Sequence, residues 1–307
     1  MSTAPPDVAR HDAASDSVTF AFGDLSAQLY GLARLGVSRS PQGEDQGSAL
    51  ALLFAGREPV AALAHGGLPV AAGQGWEALD LGRLGAAVVS PFDRWTVRFD
   101  SEDEQGFALE FMALGPPAAL GEDAPPARVG GMAGYEQPCR VRGTVRAGGH
   151  ERAVDALGQR SRAWGDPDWD RIELARSVAA WTDAAAASLT AIRPAGARDH
   201  AAEAMWGALW EPESQPEPGR ATGRVVVGVE EGRLSTTYDD DGHMRRAGLE
   251  LWPAGDSGEE WARRGAGDVL CGSSLALGAL RLDCAFFRWH LDGRAGVGRY
   301  DILRRAA

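Results

Sequence analysis

The sequence predicts an all-β protein with two antiparallel sheets, each curled into a sandwich or barrel. Apolar and polar residues alternate with a period of two in several segments. In residues 94–101, for example, Trp95, Val97 and Phe99 alternate with polar or charged residues. Glycine or charged turns interrupt this pattern about every ten residues. The chain also contains 40 glycines and 17 prolines, which favours short elements joined by many turns.

The first half of the chain starts with a polar segment and continues as predicted strands. Residues 1–16 lack an apolar core, so they are interpreted as a disordered leader rather than a signal peptide. The first β domain is predicted over residues 17–121. Its clearest strands are predicted at 29–37, 49–56, 59–67, 86–90, 94–101 and 106–115.

A segment rich in proline, glycine and alanine separates the two halves. It covers residues 115–134, and the linker proper is placed at residues 122–133. Strand patterning resumes after it, so the second β domain is predicted over residues 134–307. Eight of the ten tryptophans lie in the second half of the sequence, which predicts a denser aromatic lining there.

The second half is predicted to contain about eight strands, as is the first half. The dipeptide Asp292-Gly293 is typical of a two-residue hairpin turn, and it joins the last two predicted strands. The Gly148-Gly149 pair similarly predicts a turn. Further strands are predicted at 173–181, 188–194, 223–238, 244–253 and 286–305.

Three segments of the second half have some helical character. The alanine-rich segments 182–189 and 197–210 have a helical composition, but they are interpreted as strands. Ser257 and Glu260 have the spacing of a helix N-terminus. A short helix is therefore predicted at residues 257–264.

The composition excludes several partners and reactions. The formal net charge of −12 argues against a nucleic-acid backbone or an anionic membrane surface as the main partner. The sequence contains arginine but no lysine, which excludes a Schiff base on a lysine side chain. No apolar run reaches the roughly 18 residues that a membrane-spanning helix needs.

The cysteine pattern predicts a reducing, cytoplasmic setting. The chain has an odd number of cysteines, namely Cys139, Cys271 and Cys284. Their spacing fits neither a disulfide framework nor a zinc site. No phosphate loop, dinucleotide fingerprint or nucleophile elbow occurs in the sequence, so no cofactor is predicted. The acidic run at 166–170 lacks the bidentate glutamate of a calcium loop, so no metal is predicted there.

The most distinctive stretch of the chain combines tryptophan with arginine. Arg160 and Arg162 are two residues apart, so on a strand their side chains share a face. They can form a structural ion pair with Glu136, or they can bind a polar group of a ligand. Trp164 and Trp169 can line an apolar cavity or pack in a core. Glu136 can be the partner of the arginines or a general acid, because an apolar cavity raises the pKa of a carboxyl group.

Two segments of this stretch resemble the motif of a bacterial superfamily of tandem lipocalin-like proteins. They are YEQPCRVRGTV at 135–145 and GQRSRAWGDPDW at 158–169, and the closing RWHLDGRAGVGRYDIL at 288–303 is similar to the superfamily's last hairpin. The superfamily includes carotenoid 1,2-hydratases, AttH-like proteins and Diels–Alderase-type cyclases. The resemblance implies two lipocalin-like antiparallel β-barrel or sandwich domains in tandem, packed at the 135–181 stretch. Its signature glycine, arginine and tryptophan positions correspond to Gly158, Arg160, Trp164 and Gly165.

The resemblance also implies a set of site residues. Glu136 and Gln137 match the Glu-Gln pair of the superfamily. Where the signature usually carries Asp, His and Ser, this chain has Ser161, Arg162 and Ala163, so Glu136 is left as the catalytic candidate. The residues predicted to bind a ligand or to hold the two domains together are Tyr135, Gln137, Arg160, Arg162, Trp164, Asp168 and Trp169.

The predicted function is binding of a hydrophobic small molecule in a barrel or interdomain cavity. An isoprenoid, a steroid-like compound and a polyketide all fit this prediction. The resemblance implies a cyclase, hydratase or isomerase that needs no redox cofactor. There are two alternatives: a non-catalytic carrier of such a ligand, and a structural or interaction protein whose barrels are filled by side chains. An open apolar cavity with an unpaired carboxyl group favours the enzyme, an open cavity without one favours the carrier, and filled barrels favour the structural protein.

Overall fold

The structure consists almost entirely of antiparallel β-strands, which confirms the predicted fold class. The computed structural model describes residues 7–40, 42–213, 223–254 and 261–306. No helix within these ranges is long and apolar enough to cross a membrane.

The strands follow one another along the chain with few helical interruptions. A short helix, α1, spans Pro125–Gly130, and a 3₁₀ turn spans His200–Ala202. The strands before α1 are β1 (Ser15–Asp24), β2 (Leu29–Arg39), β3 (Asp45–Ala55), β4 (Glu58–Pro69), β5 (Ala78–Asp80), β6 (Leu84–Ser90), β7 (Arg94–Asp100), β8 (Gly106–Ala113) and β9 (Ala118–Leu120). The strands after α1 are β10 (Met132–Ala147), β11 (His150–Gly165), β12 (Ile172–Trp181), β13 (Ala186–Pro194), β14 (Ala204–Pro212), β15 (Arg224–Tyr238), β16 (Met244–Pro253), β17 (Arg263–Leu277), β18 (Leu280–Leu291) and β19 (Arg294–Arg305).

The chain divides into two compact units. The first contains Met1–Leu114 and Gly134–Asp166, and the second contains Gly115–Ala133 and Pro167–Ala307. This differs from the predicted division at residues 122–133, because the β10–β11 hairpin belongs to the first unit and not to the second. The physical reason is strand pairing, since β11 forms an antiparallel pair with β1.

The first unit is a curled sheet in which the first strand, β1, lies in the middle of the strand order, between β2 and β11. Its strand order is β4-β3-β2-β1-β11-β10-β8-β7-β6-β5, and it forms a half-barrel. The pairing of β1 with β11 joins the start of the chain to the distinctive stretch found in the sequence. One face of the sheet carries the hydrophobic core, and the predicted alternation places Trp95, Val97 and Phe99 in it.

The second unit contains a closed barrel. Strands β12 to β19 pair in sequence order, and β12 also pairs with β19. Closure satisfies the backbone of both edge strands, which an open sheet leaves unpaired. A continuous cluster of buried side chains forms the core of this unit, and its largest members include Phe287, Trp289 and Tyr300. Phe287 and Trp289 on β18 are buried, whereas the alternating residues Arg288 and His290 are exposed.

Two predicted hairpin turns are confirmed by their backbone geometry. Asp292 and Gly293 have φ angles of 48° and 76°, and they connect β18 directly to β19. Gly148 and Gly149 have φ angles of 63° and 76° between β10 and β11. Positive φ at both central residues matches the twist of the flanking strands, and glycine adopts it without a steric penalty.

The segment before β10 contains structure of its own. It holds β9 and α1 and belongs to the second unit. The indole Nε1 of Trp210 donates a hydrogen bond to the carbonyl oxygen of Pro116 at 2.8 Å. Prolines begin α1, and Gly131 ends it with a φ of 69°, which are common boundaries of a helix.

The start of the described chain is packed. Residues 1–6 of the predicted leader lie outside the described residues. Asp7 and Asp16 are buried, and β1 begins at Ser15. The prediction of a disordered leader is therefore wrong from Asp7 onward, and the reason is found in the side-chain partners described below.

The segments with helical character have different outcomes. The segment 197–210 forms the 3₁₀ turn and most of β14, and the segment 182–189 leads into β13. Of the helix predicted at 257–264, residues 257–260 lie outside the described residues. Residues 261–264 are not helical, and Arg263 begins β17.

Candidate functional site

Arg160 and Arg162 lie side by side on the core face of β11. Their side chains are 2% and 0% exposed. The backbone is close-packed at this point, because a Cβ atom at Gly158 would lie 2.3 Å from the carbonyl oxygen of Ala21 on β1. The signature glycine therefore allows β11 to approach its neighbour, and the two arginines follow it into the interior of the first unit.

Asp7 is the carboxylate partner of Arg160. The guanidinium Nη1 of Arg160 donates to Asp7 Oδ1 at 2.5 Å and to the Tyr135 hydroxyl at 2.7 Å. Nη2 donates to the amide oxygen of Gln137. The Tyr135 hydroxyl in turn donates to Asp7 Oδ1, and Trp95 Nε1 donates to Asp7 Oδ2 at 2.9 Å. A network of buried polar groups thus forms around one ion pair.

The charge of Asp7 is stabilised by this network. Burial alone raises the pKa of Asp7, but the positive charge of Arg160 opposes it. Hydrogen bonds from the backbone of Phe92 and from the side chains of Tyr135 and Trp95 act in the same direction as Arg160, so the pKa lies below its usual value. Burial also raises the pKa of Tyr135, which keeps its phenol protonated as a donor.

Asp16 is the carboxylate partner of Arg162. Arg162 Nε donates to Asp16 Oδ1 at 3.1 Å, and Nη2 donates to Asp16 Oδ2 at 2.7 Å. Trp76 Nε1 donates to the same carboxylate at 3.3 Å, as does the backbone N–H of His11 at 2.9 Å. The His11 ring stacks on Trp164 with centroids 3.7 Å apart. The two arginines therefore hold the segment 7–16 through one aspartate each, and both aspartates also accept an indole N–H.

Glu136 lies on the face of β10 that is opposite to the side chains of Tyr135 and Gln137. It is half-buried and accepts a hydrogen bond from Gln159 Nε2. The predicted pairing of Glu136 with Arg160 is wrong. Tyr135 and Gln137, on either side of Glu136, both contact Arg160. The Glu136 side chain therefore points away from Arg160, because successive side chains of a strand face opposite sides. Arg160 takes Asp7 as its carboxylate partner instead.

Asp168 and Trp169, the last two predicted site residues, belong to the second unit. Asp168 is exposed, and its carboxylate accepts a hydrogen bond from the backbone N–H of Asp170 at 2.9 Å. Trp169 is half-buried. They are thus in a different unit from the Arg160 and Arg162 clusters.

A second buried polar cluster in the other unit was not predicted from the sequence. The Glu203 side chain is 0% exposed and forms ion pairs with Arg176 and with Arg193, the latter at 3.0 Å. His200 Nδ1 lies 2.7 Å from Glu203 Oε1. Arg176 also donates to the hydroxyl of Tyr300 at 3.4 Å. The sequence feature that could have predicted this cluster is Arg176 within the apolar strand sequence ELARSVAAW, because a buried arginine needs a buried partner.

The three cysteines are buried and form no disulfide. Burial raises the pKa of Cys139 to about 12 and that of Cys271 to about 12. Burial also raises the pKa of Cys284 well above its usual value. All three thiols are therefore protonated near neutral pH, which makes them poor nucleophiles and poor metal ligands.

An acidic hairpin tip has the spacing of a cation site among the described residues. The ligand atoms of Asp239, Asp241 and His243 lie within 4.8 Å of one another. However, Asp239 Oδ1 accepts hydrogen bonds from the backbone N–H groups of Asp241 and His243, at 3.1 and 2.9 Å. The turn between β15 and β16 accounts for this geometry, and we assign it no metal.

A groove with a volume of about 480 Å³ lies on the first sheet, on the face opposite the core. Its longest row crosses five strands in register. Ala78 pairs with Ala87, Ala87 with Thr96, Thr96 with Glu110, and Glu110 with Arg142. Small side chains therefore form the floor at one end of this row, and a carboxylate and a guanidinium stand at the other.

A second row of the groove carries an arginine with two acidic partners. Gly85 pairs with Arg98, and Arg98 pairs with Ala108. The Arg98 guanidinium forms ion pairs with Asp80 at 3.2 Å and Asp100 at 2.5 Å. Glycine and alanine again leave open space on either side of the arginine. The groove thus has a small apolar floor with polar groups along its border.

The two curled sheets and the arginine-bearing motif strand define a tandem lipocalin-like protein. The chain belongs to the family described as "Domain of unknown function (DUF7064)", whose match covers residues 4–306. A comparison with curated proteins finds none that matches.

Solved structures share this fold over nearly the whole chain. An AttH-like protein from Nitrosomonas europaea is similar with a TM-score of 0.68 and 14% identity, over 100% of this chain and 98% of that chain. CghA with Sch210972 is similar with a TM-score of 0.61 and 14% identity, over 95% of this chain and 88% of that chain. A second crystal structure of CghA gives a TM-score of 0.58. At 14% identity, these structures share the tandem lipocalin-like fold that the sequence predicts.

Proposed function

We propose that this protein binds a hydrophobic small molecule in the groove of the first unit and acts on it as a cofactor-independent cyclase, hydratase or isomerase. The observation that carries the proposal is the groove of about 480 Å³ with its floor of small side chains. This volume lies within the range of sites for a single small ligand, roughly 300–1,000 Å³. The fold shared with CghA, which was solved with the small molecule Sch210972, supports the same class of function.

The hydrophobic cores of the two units are less suited to a ligand than the groove. The core face of the first sheet is occupied by buried aromatic and aliphatic side chains. The second unit is likewise packed around its own hydrophobic cluster. A ligand in either place would have to displace packed side chains, and interiors of this kind tolerate little added volume. The groove requires no such displacement.

A bulky residue in the floor of the groove tests the binding proposal. We expect Ala87→Trp and Ala108→Trp each to weaken binding of the neutral dye N-phenyl-1-naphthylamine at least tenfold, because the indole fills the floor. Fluorescence titration measures this. Ala153→Trp is the matched control, because Ala153 is exposed on β11 and lies outside the groove lining. Equal dye affinity in all four proteins would contradict the proposal.

Glu110 is the carboxylate that the groove offers for proton transfer. Its side chain is 35% exposed, and its ion-pair partner, Arg94, lies 3.6 Å away, which is longer than a hydrogen bond. Glu136 lies six residues before Arg142 on β10, which at about 3.3 Å per residue is roughly 20 Å along the strand. A substrate in the groove would therefore meet Glu110 rather than Glu136, the acid suggested by the sequence.

Turnover measurements on two variants separate these acids. We expect Glu110→Gln to lower turnover about 100-fold or more, since it keeps the size of the side chain but removes the carboxylate that would exchange a proton with the substrate. Glu136→Gln is the comparison. A large loss in Glu136→Gln with full activity in Glu110→Gln would move the reaction out of the groove and return it to the residue identified from the motif.

A carrier of the same ligand class is the second candidate. The observation that favours it is the openness of the groove, since Arg142 at its border is 60% exposed. Catalysis by shaping a substrate benefits from excluding water, and an open groove excludes little of it. Native mass spectrometry of the protein from a lipid-rich host distinguishes the two, because a carrier retains and releases its compound unchanged.

A further inference from the structure

We infer that the ligand of the groove is amphipathic and that its head group is neutral, with a hydrogen-bond donor beside an acceptor, as in a primary carboxamide. This inference rests on the proposed function and specifies the chemistry of the same site. It arises from one pair of residues, Glu110 and Arg142, and from the row of small residues that leads away from them.

Glu110 and Arg142 are direct neighbours across the strands β8 and β10. Such cross-strand pairs have Cβ atoms roughly 4.5–5.5 Å apart, so their charged groups can reach the same small molecule. Each has its ion pair elsewhere: Glu110 with Arg94 at 3.6 Å, and Arg142 with Asp155 at 3.3 Å. Both contacts leave hydrogen-bonding capacity, since a carboxylate accepts about four hydrogen bonds and a guanidinium donates five.

The row of small residues suits the apolar part of such a ligand. From Glu110 the row continues through Thr96 and Ala87 to Ala78. Three strand spacings of about 4.8 Å give a floor roughly 14 Å long. An alkyl chain or a pair of fused rings fits along this floor, with its polar end at Glu110 and Arg142.

The charges around the groove favour a neutral head over an ion. The lining contains two arginines, Arg98 and Arg142, and two acids, Asp80 and Glu110. An anionic head at Arg142 would face the like charge of Glu110, and a cationic head at Glu110 would face Arg142. A carboxamide avoids both repulsions, because its N–H donates to Glu110 while its carbonyl oxygen accepts from Arg142.

Displacement of bound N-phenyl-1-naphthylamine by three ligands with one decanoyl chain tests the inference. Decanamide has both donor and acceptor, methyl decanoate has only acceptors, and decanoate is an anion. We expect decanamide to bind about tenfold more tightly than either of the other two. In Glu110→Leu the advantage over methyl decanoate is expected to disappear, because the amide N–H loses its acceptor. Arg142→Leu is expected to weaken both compounds and to keep their ratio, because both carbonyl oxygens lose the same donor. Arg83→Leu is the control, since Arg83 is a paired surface arginine outside the lining, and it is expected to keep the tenfold ratio.

The outcomes separate the inference from the proposed function. Equal affinity for decanamide and methyl decanoate, with weaker dye binding in Ala87→Trp, would overturn the head group with a donor beside an acceptor and leave the groove as the binding site. Tighter binding of decanoate would overturn it in favour of an anionic ligand. Failure of the dye itself to respond to Ala87→Trp would remove the site, and the inference with it.

Discussion

Asp7→Ala is expected to lower the free energy of unfolding of the first unit by about 3–5 kcal/mol, because it leaves the Arg160 guanidinium buried without its carboxylate. Both side chains are almost completely excluded from solvent, at 0% and 2% exposure. The variant also removes the acceptor of the Trp95 indole and of the Tyr135 hydroxyl. Urea unfolding followed by tryptophan fluorescence measures the loss.

Two further variants make this result specific. Asp12→Ala is the control, since Asp12 is 94% exposed in its 3.4 Å pair with Arg39, and exposed pairs contribute at most about 1 kcal/mol. The double variant Asp7→Ala/Arg160→Ala is expected to cost less than the sum of the single variants, because the two residues interact directly. If Asp7→Ala costs no more than Asp12→Ala, or if the two changes simply add, the ion pair does not hold the start of the chain in place.

Glu203→Ala is expected to have a comparable effect on the second unit. The substitution leaves Arg176, whose side chain is 1% exposed, without its carboxylate, and Arg193, at 12% exposure, without its own. Breaking a buried pair in this way costs about 3–5 kcal/mol. Glu173→Ala is the control, because Glu173 is exposed on β12. Similar unfolding curves for the two variants would contradict the expectation.

The contribution of Glu203 is also expected to depend on pH. Burial raises the pKa of Glu203, but hydrogen bonds from Arg176, His200 and Arg193 outweigh it, so the pKa lies below the ordinary 4.5. A carboxyl group with a lowered pKa stabilises the folded state above its unfolded pKa, and this stabilisation is lost as the pH falls through the folded pKa. The stability difference between the wild-type chain and Glu203→Gln is therefore expected to be full near pH 7 and to shrink below about pH 4.5. A difference that stays constant down to pH 3 would exclude this linkage.

The sequence carried enough information for the strands but not for the partners of the buried arginines. The period-two alternation of Trp95, Val97 and Phe99 is a local property, and the structure places all three in the core. The partner of Arg160 lies 153 residues away in the chain. Asp7 sits in a segment whose polar composition resembles that of a disordered leader, and composition alone cannot distinguish a free aspartate from one that meets a buried arginine.

The groove depends on information that a single sequence does not contain. Thr96, Glu110 and Arg142 come together only because β7, β8 and β10 pair in one particular register. A shift of one residue in any of these strands would send the side chains to the opposite face. The motif therefore pointed to Glu136 on β10, whereas the groove follows from strand pairing across the sheet.

The pairing of β1 with β11 has a consequence for synthesis of the chain. The first unit is interrupted in sequence by Gly115–Ala133, so β1 leaves the ribosome long before the strand that covers its edge. At roughly 5–20 residues per second, the interval between the end of β1 and the end of β11 is on the order of ten seconds. During that time β1 presents an unpaired, apolar edge, and unpaired edges are the usual starting points of aggregation. This edge of β1 is covered only when β11 has been synthesised and Arg160 and Arg162 reach their aspartates.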